Sequence, residues 1–249
     1  MNKGYALVTG ALGGLGTAIT KGLLNHGYDV VACDRRGEDY ETWLTQFSFQ
    51  EKERLRFDAF DLRNLGAVEN YRTSLEEDGI HVAYLINNAG IASFGSPWEM
   101  EPESFDRVVQ VNLYGTFHLT RTFVEAMKDD GFGRVVNFAS AAGYIPDTGM
   151  APYSAAKLGI VGYTHSIALD LAQFGITANV ISPGLIWHDR LKNNPAYTDE
   201  ERAKFRSRVP MKREGVPTEI AETVAFLLSD GAAYITGQTL HVNGGLYMT

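Results

Sequence analysis

Apolar and polar positions along the chain fall into two alternating rhythms. Short, nearly unbroken apolar runs are followed by longer stretches in which apolar residues return every three or four positions. The runs predict strands at Tyr5–Val8, Tyr28–Cys33, Leu55–Phe60, Val82–Asn87, Arg134–Ala139, Thr177–Ile181 and Thr239–Val242. The longer stretches predict helices at Gly14–Asn25, Glu38–Glu53, Asn64–Glu77, Pro102–Lys128, Tyr153–Gln173 and Pro217–Leu228. Runs such as Tyr28-Asp29-Val30-Val31-Ala32-Cys33 suit a parallel sheet covered on both faces. Regular alternation of strand and helix then predicts an α/β fold, a doubly wound parallel sheet of about seven strands with helices on both faces. No repeat, low-complexity tract or linker divides the chain, so residues 1–249 read as a single domain.

Composition narrows the function more than the fold. The chain is 45% hydrophobic and 21% charged, ordinary for a protein with a full core. A formal net charge of −8 argues against a nucleic-acid partner, whose binding rests on neutralised phosphates. No apolar run reaches the length of a membrane span. Met1 leads almost at once into the first strand, leaving no room for a signal peptide. The one cysteine, Cys33, excludes an internal disulfide and a cysteine metal cluster. His26, His81, His118, His165 and His241 show no metal spacing, so no metal is expected. A cytoplasmic enzyme fits these properties, as do many other proteins.

The first candidate for chemistry is Thr9-Gly10-Ala11-Leu12-Gly13-Gly14-Leu15-Gly16. It follows a strand and opens a helix, the setting in which a glycine turn gains meaning. Backbone without Cβ can approach a pyrophosphate closely, and the free amides of a first helical turn point at its charge. A tight turn with no ligand is the plain alternative. Strand two ends at Asp34, 18 residues after Gly16. A carboxylate roughly 20 residues past such a turn suits a ribose hydroxyl and repels a 2′-phosphate, favouring NAD over NADP. Arg35 and Arg36 keep NADP open, since guanidinium can grip a phosphate.

Further along, Ser140 follows strand five and Tyr153-Ser154-Ala155-Ala156-Lys157 follows Ser140. Tyrosine and lysine four apart share a helical face. A lysine ammonium beside a phenol favours the phenolate, drawing its pKa from about 10 towards the working pH of a general acid or base. A surface pair is the alternative for any isolated Tyr-x3-Lys.

Taken as a series, Thr9–Gly16, Asp61, Asn87–Gly90, Asn112, Ser140, Tyr153 and Lys157, followed by Pro183-Gly184 and Asn243-Gly244-Gly245, resemble the short-chain dehydrogenases/reductases. The resemblance covers essentially the whole chain and points to the single-domain branch of that family. It implies a Rossmann-type fold and a catalytic tetrad of Asn112, Ser140, Tyr153 and Lys157. It also implies cofactor contacts at Gly10, Leu12, Gly14, Leu15, Gly16, Asp34, Arg35, Asp61, Leu62, Asn88, Ala89, Gly90, Tyr153, Lys157, Pro183, Gly184 and Ile186. Asp61 would cap the adenine ring; its alternative role is a helix N-cap. Asn112 would hold water on a proton relay to Lys157; its alternative is a satisfied core amide. The family further implies a homotetramer, with a dimer as second choice, through the helices Pro102–Lys128 and Tyr153–Gln173.

Departures from the family pattern mark the substrate side. Four residues past Gly184 the family commonly has a threonine that bonds the nicotinamide carboxamide; here His188 stands there. It can take over that bond, face the substrate alongside Ser140 and Tyr153, or be an idle loop residue. Tyr144, Ile145 and Ser93–Trp98 would border the pocket. Trp187 to Gly215 is long for a connection and is expected to be a substrate lid with a helix at Thr198–Arg208. Arg202, Lys204, Arg206, Arg208, Lys212 and Arg213 gather there against Asp199, Glu200, Glu201 and Glu214. They either meet a substrate phosphate, as on a coenzyme A or carrier-protein thioester, or pair among themselves on a solvated helix.

The leading expectation is an NAD(P)(H)-dependent oxidoreductase interconverting a secondary alcohol and a ketone. A 3-oxoacyl-thioester reductase using NADPH is the alternative within the same chemistry, the C-terminal Gly-Gly-Leu-Tyr-Met resembling acetoacetyl-CoA reductases. A non-catalytic NAD(H)-binding regulator would keep the glycine turn but has no need of Ser140, Tyr153 and Lys157 together. A nucleoside-binding methyltransferase leaves that trio unexplained.

Overall fold

The computed structural model describes residues 3–188, 191 and 198–248. In chain order the elements are β1 (Tyr5–Thr9), α1 (Gly14–Asn25), β2 (Val30–Asp34), α2 (Tyr40–Leu44), α3 (Phe49–Lys52), β3 (Leu55–Ala59), α4 (Leu65–Glu77) and β4 (Val82–Asn87). Then come α5 (Pro102–Val109), a π-turn (Gln110–Tyr114), α6 (Gly115–Asp130), β5 (Gly133–Phe138), α7 (Ala141–Tyr144), α8 (Ala151–Ala172) and β6 (Ile176–Pro183). The chain closes with α9 (Asp199–Arg208), α10 (Pro217–Leu228) and β7 (Thr239–Val242).

The seven strands are parallel, in the order β3-β2-β1-β4-β5-β6-β7. All therefore end on the same edge, where Thr9, Asp34, Asn87, Phe138 and Pro183 lie. Chain direction across the sheet reverses between β1 and β4, and the crevice above such a switch point is where open α/β sheets bind ligands. One apolar layer joins Ile19 and Leu23 of α1 to Ile220 and Val224 of α10 over the sheet. The other joins Val68 of α4 and Leu119 and Phe123 of α6 to Leu7, Val31 and Leu85. The α1–α10 approach is tight: a Cβ on Gly22 would lie 2.8 Å from that of Ala221.

Several boundaries differ from the sequence expectation, each for a local reason. Strand two begins at Val30 because Gly27 turns left-handed (φ +88°) and the Tyr28 amide still bonds Leu23 at the helix end. The helix expected over Glu38–Glu53 is two short ones. Ser48 starts the second with a reciprocal capping box: its hydroxyl accepts the Glu51 amide, and its own amide donates to the Glu51 carboxylate. The Pro102–Lys128 helix is interrupted by the π-turn. Asp61 is not the N-cap of α4; Asn64 is, its side chain accepting the Ala67 amide at 3.1 Å.

Candidate active site

Each glycine of the turn after β1 has a separate steric cause. Gly10 is left-handed (φ +66°), and a Cβ there would sit 2.8 Å from the Ala89 Cα. On Gly16 it would lie 2.1 Å from the Gly10 carbonyl oxygen, so the turn closes on itself only with glycine. On Gly14 it would collide with the imidazole of His188, at 2.6 Å. No side chain caps α1, leaving the amides of Gly14, Leu15 and Gly16 without intrahelical acceptors. The turn after β4 is bonded to this one. The Asn88 amide group donates to the Thr9 carbonyl at 2.8 Å, and the Ala89 amide to the Thr9 hydroxyl at 3.0 Å.

Asp34 ends β2 against the same turn. One of its oxygens accepts the Leu12 amide at 3.3 Å and the other the Arg36 amide at 3.2 Å. The carboxylate is thus aimed by backbone, with a side-chain exposure of only 12%. Arg36 also approaches Asp34 and Asp39 with its guanidinium. Asp61 is gripped by Arg63, which donates to both its oxygens and holds it below the usual carboxylate range. Leu62 packs into the junction of the π-turn and α6, where a Cβ on Gly115 would overlap its side chain.

The π-turn delivers Asn112. Its side-chain amide donates to the carbonyls of Ile91 and Val108, both at 2.8 Å, while its Oδ1 is buried with no hydrogen-bond partner from the protein. Gly90 separates that oxygen from Lys157: a Cβ on Gly90 would stand 2.6 Å from Asn112 Oδ1 and 3.4 Å from Lys157 Nζ. The Asn112 side chain is thus satisfied as a donor and open as an acceptor.

Lys157 is 3% exposed, and its ammonium donates to the Phe138 carbonyl at 2.7 Å. Burial pulls its pKa down to about 7. Its Nζ lies 5.6 Å from the ring centroid of Tyr153, one turn earlier on α8. Burial therefore disfavours the plain ammonium that the sequence suggested. Ser140 caps the short α7, accepting the Ala142 amide at 3.2 Å, and Ser154 of α8 donates to the Ala142 carbonyl. Ser140 is thereby tied to the helix that carries Tyr153 and Lys157.

Behind the site runs a polar ladder that sequence reasoning missed. Asn87 donates to Thr120 at 3.1 Å and to Asn137 at 2.8 Å; Asn137 donates to Thr164 at 2.9 Å. It joins β4, β5, α6 and α8 in the core. Asparagines inside the apolar runs of β4 and β5 were its visible signal.

Past β6, a Cβ on Gly184 would strike Asn243, at 2.9 Å from its Cα. Ile186 is buried in the α1-side core. Trp187 bonds the Gly215 carbonyl and lies under the guanidinium of Arg202, 3.9 Å from its ring centroid. Four of the six basic residues from Arg202 to Arg213 pair with acidic neighbours, and Lys212 donates to the Ser207 carbonyl. Arg202 and Arg206 share Glu214, Lys204 meets Glu200 and Glu201, and Arg213 meets Glu219. Lid residues 189, 190 and 192–197 lie outside the described residues. On the opposite rim, Gly95 bonds Gly149, with Phe94 and Trp98 exposed nearby.

The glycine turn, the backbone-aimed Asp34 and the tyrosine–lysine pair thus lie beyond the C-terminal ends of the parallel strands. The comparisons agree. Residues 10–247 match the family model described as enoyl-(acyl carrier protein) reductase. The 3-oxoacyl-[acyl-carrier-protein] reductase FabG of Buchnera aphidicola subsp. Schizaphis graminum is 36% identical over 249 residues, covering 100% of this chain and 99% of its own. Nodulation protein G of Azospirillum brasilense is 38% identical over 251 residues, 99% of each. A crystal structure from Agrobacterium tumefaciens, provisionally assigned as a gluconate dehydrogenase, superposes with a TM-score of 0.91 at 32% identity, covering 100% and 98%. The chain belongs to the short-chain dehydrogenase/reductase family and has its oxidoreductase fold. No helix among the described residues is long and apolar enough to cross a membrane.

Proposed function

We propose that the protein interconverts a secondary alcohol and a ketone with NAD(H), using Tyr153 as general acid and base. The observation that carries this reading is Lys157. A buried lysine with a single carbonyl partner and no carboxylate costs the fold stability. Its position beside Tyr153, across Gly90 from the open acceptor of Asn112, gives that cost a purpose.

A dinucleotide fits the residues present: Gly10 and Gly16 clear the turn, α1 offers amides to phosphates, and Asp34 offers a carboxylate to the ribose. The nicotinamide, when bound, supplies the hydride donor or acceptor. Lys157 in its ammonium form favours the Tyr153 phenolate, which removes the alcohol proton in oxidation; the phenol returns it in reduction. Ser140 holds the substrate oxygen. Asn112 and Lys157 pass the proton onward, and a lysine poised near pH 7 exchanges it readily. His188, packed on Gly14, belongs in this reading with the cofactor rather than the substrate. Residues 187–215 act as the substrate lid.

NAD is the preferred cofactor in this reading because Asp34 is backbone-aimed and its carboxylate repels a 2′-phosphate. A second reading, a 3-oxoacyl-thioester reductase using NADPH, is favoured by the 3-oxoacyl-[acyl-carrier-protein] reductase activity for which the FabG relatives are named. Assembly is proposed as a homotetramer: Phe105, Tyr114, Phe117, Leu158 and Leu169 lie exposed on α5, the π-turn, α6 and α8. Sedimentation of the pure protein tests that assembly.

The experiment for the reaction is Tyr153→Phe assayed against secondary alcohols with NAD+ and against acetoacetyl-CoA with NADPH. Turnover should fall by about 10³-fold while cofactor affinity stays within a few-fold. A variant that keeps near wild-type turnover contradicts the assignment.

A further inference from the structure

We propose that Tyr247 is a positioning residue for the reaction, fixing through the ring of Tyr144 the short helix α7 that aims Ser140. This rests on the oxidoreductase reading, in which Ser140 holds the substrate oxygen.

Helix α7 has only four residues, too few to hold its shape without tertiary contacts. Ser140 is bonded into it. Its hydroxyl accepts the Ala142 amide at 3.2 Å, and its carbonyl accepts the Gly143 amide at 3.0 Å. The direction of the Ser140 side chain therefore follows that of α7. One side of α7 is fixed by α8: Ser154 donates to the Ala142 carbonyl at 2.8 Å, and a Cβ on Gly143 would stand 3.2 Å from Leu158 Cγ. The far end is held by Tyr144. Its ring packs on the cluster of Ala139, Val161 and Val180. It also stacks on the ring of Tyr247, with centroids 4.7 Å apart and planes inclined by 24°. His241 of β7 stands edge-on to both rings, at 4.8 Å from Tyr144 and 5.0 Å from Tyr247. Stacked and edge-to-face pairs have preferred geometries, so three rings in mutual contact resist sliding.

The turn after β7 delivers Tyr247 to this cluster. Gly244 and Gly245 are both left-handed, with φ of +65° and +84°, a conformation that glycine adopts without strain. Asn243, 8% exposed, staples the turn. Its side chain accepts the Gly245 amide at 3.1 Å and donates to the Tyr247 carbonyl at 3.0 Å, while its own carbonyl accepts the Leu246 amide at 3.2 Å. The backbone of Tyr247 is thus held before its ring meets Tyr144. Contact then runs from this turn through two rings to the helix capped by Ser140, with no contact between Tyr247 and substrate required.

Steady-state kinetics of Tyr247→Leu, Tyr247→Phe, Tyr144→Leu and the double leucine variant test this, on the secondary alcohol or the acetoacetyl-CoA that the wild type turns over. In Tyr247→Leu, kcat should fall about tenfold while substrate KM and NADH affinity stay within about threefold, because a misaimed serine is felt in the transition state. Tyr247→Phe keeps the stack and should stay within about twofold of wild type. Tyr144→Leu should match Tyr247→Leu, and the double variant should be worse than either by no more than about twofold, since both remove one contact. Should Tyr247→Leu fail to fold, Tyr247→Met takes its place. A raised KM with unchanged kcat makes Tyr247 a substrate contact and overturns the proposal. So do losses that add in the double variant, a wild-type kcat in Tyr247→Leu, or a phenylalanine variant as poor as the leucine one. A wild type inactive on both substrates would sink the oxidoreductase reading and the proposal with it, a result seen before any variant is assayed.

Discussion

The two banks of the crevice are held by different physics. On the bank proposed for the cofactor, glycine contacts and backbone hydrogen bonds leave almost no freedom. Gly16 sits against the Gly10 carbonyl, Asn88 ties two turns together, and two amides aim Asp34. On the bank proposed for substrate, helix α9 is held by charge pairs and a stacked guanidinium at the surface. Steric contacts between backbone atoms resist any change of side chain, whereas ion pairs can be exchanged at small cost. The chemistry common to many substrates needs the first kind of bank; the choice among substrates can be made on the second.

Gly16→Ala should break the rigid bank. With Cβ 2.1 Å from a carbonyl oxygen and 2.7 Å from the Ala11 Cα, no side chain can yield. The expected loss is about 3 kcal/mol, a fall in Tm of roughly 6–12 °C, together with NADH binding. Thermal unfolding with and without NADH checks both.

Lys157 sits between the banks, and its effect follows pH. Its pKa is about 7 when folded against 10.5 ordinarily, so between these values the unfolded chain binds more protons. Stability from this group therefore rises with pH across that window, by up to about 1.4 kcal/mol per unit, and levels off below pH 7. Lys157→Met should remove that slope. Denaturant titrations of both cofactor-free proteins from neutral to alkaline pH check the difference, and parallel curves would contradict it.

Arg202→Ala should have the smallest effect. It removes the stack on Trp187 and one of two arginines on Glu214, while Arg206 remains at 3.2 Å. The expected cost is about 1 kcal/mol or less in stability, read from Tm. A loss comparable to that of Gly16→Ala would mean the banks are not different in kind.

The same contrast explains what was legible in the sequence. Strand periodicity and the glycine turn are local, so the sheet, Asp34 and the Tyr153–Lys157 pair could be read directly. The π-turn could not, because one inserted residue barely disturbs a helical pattern. Its trace was Asn112, Thr116 and Thr120 spaced four apart; Thr116 and Thr120 each donate to the carbonyl four residues back. The break at Ser48 was written in Ser48-Phe49-Gln50-Glu51, a capping box hidden within an amphipathic pattern. Asn137 and His241 needed tertiary partners to acquire meaning. The neutral side of Lys157 depended on burial that no spacing reveals.

The most direct measurement is a fluorescence titration of the wild-type protein and Asp34→Ser with NADH and NADPH. NADH should bind the wild type tighter by about tenfold or more, near 1.4 kcal/mol, and the preference should disappear or reverse in Asp34→Ser. Tighter NADPH binding to wild type would contradict the role given to Asp34 and move the function to the reductase reading. Binding of neither would contradict the dinucleotide crevice itself.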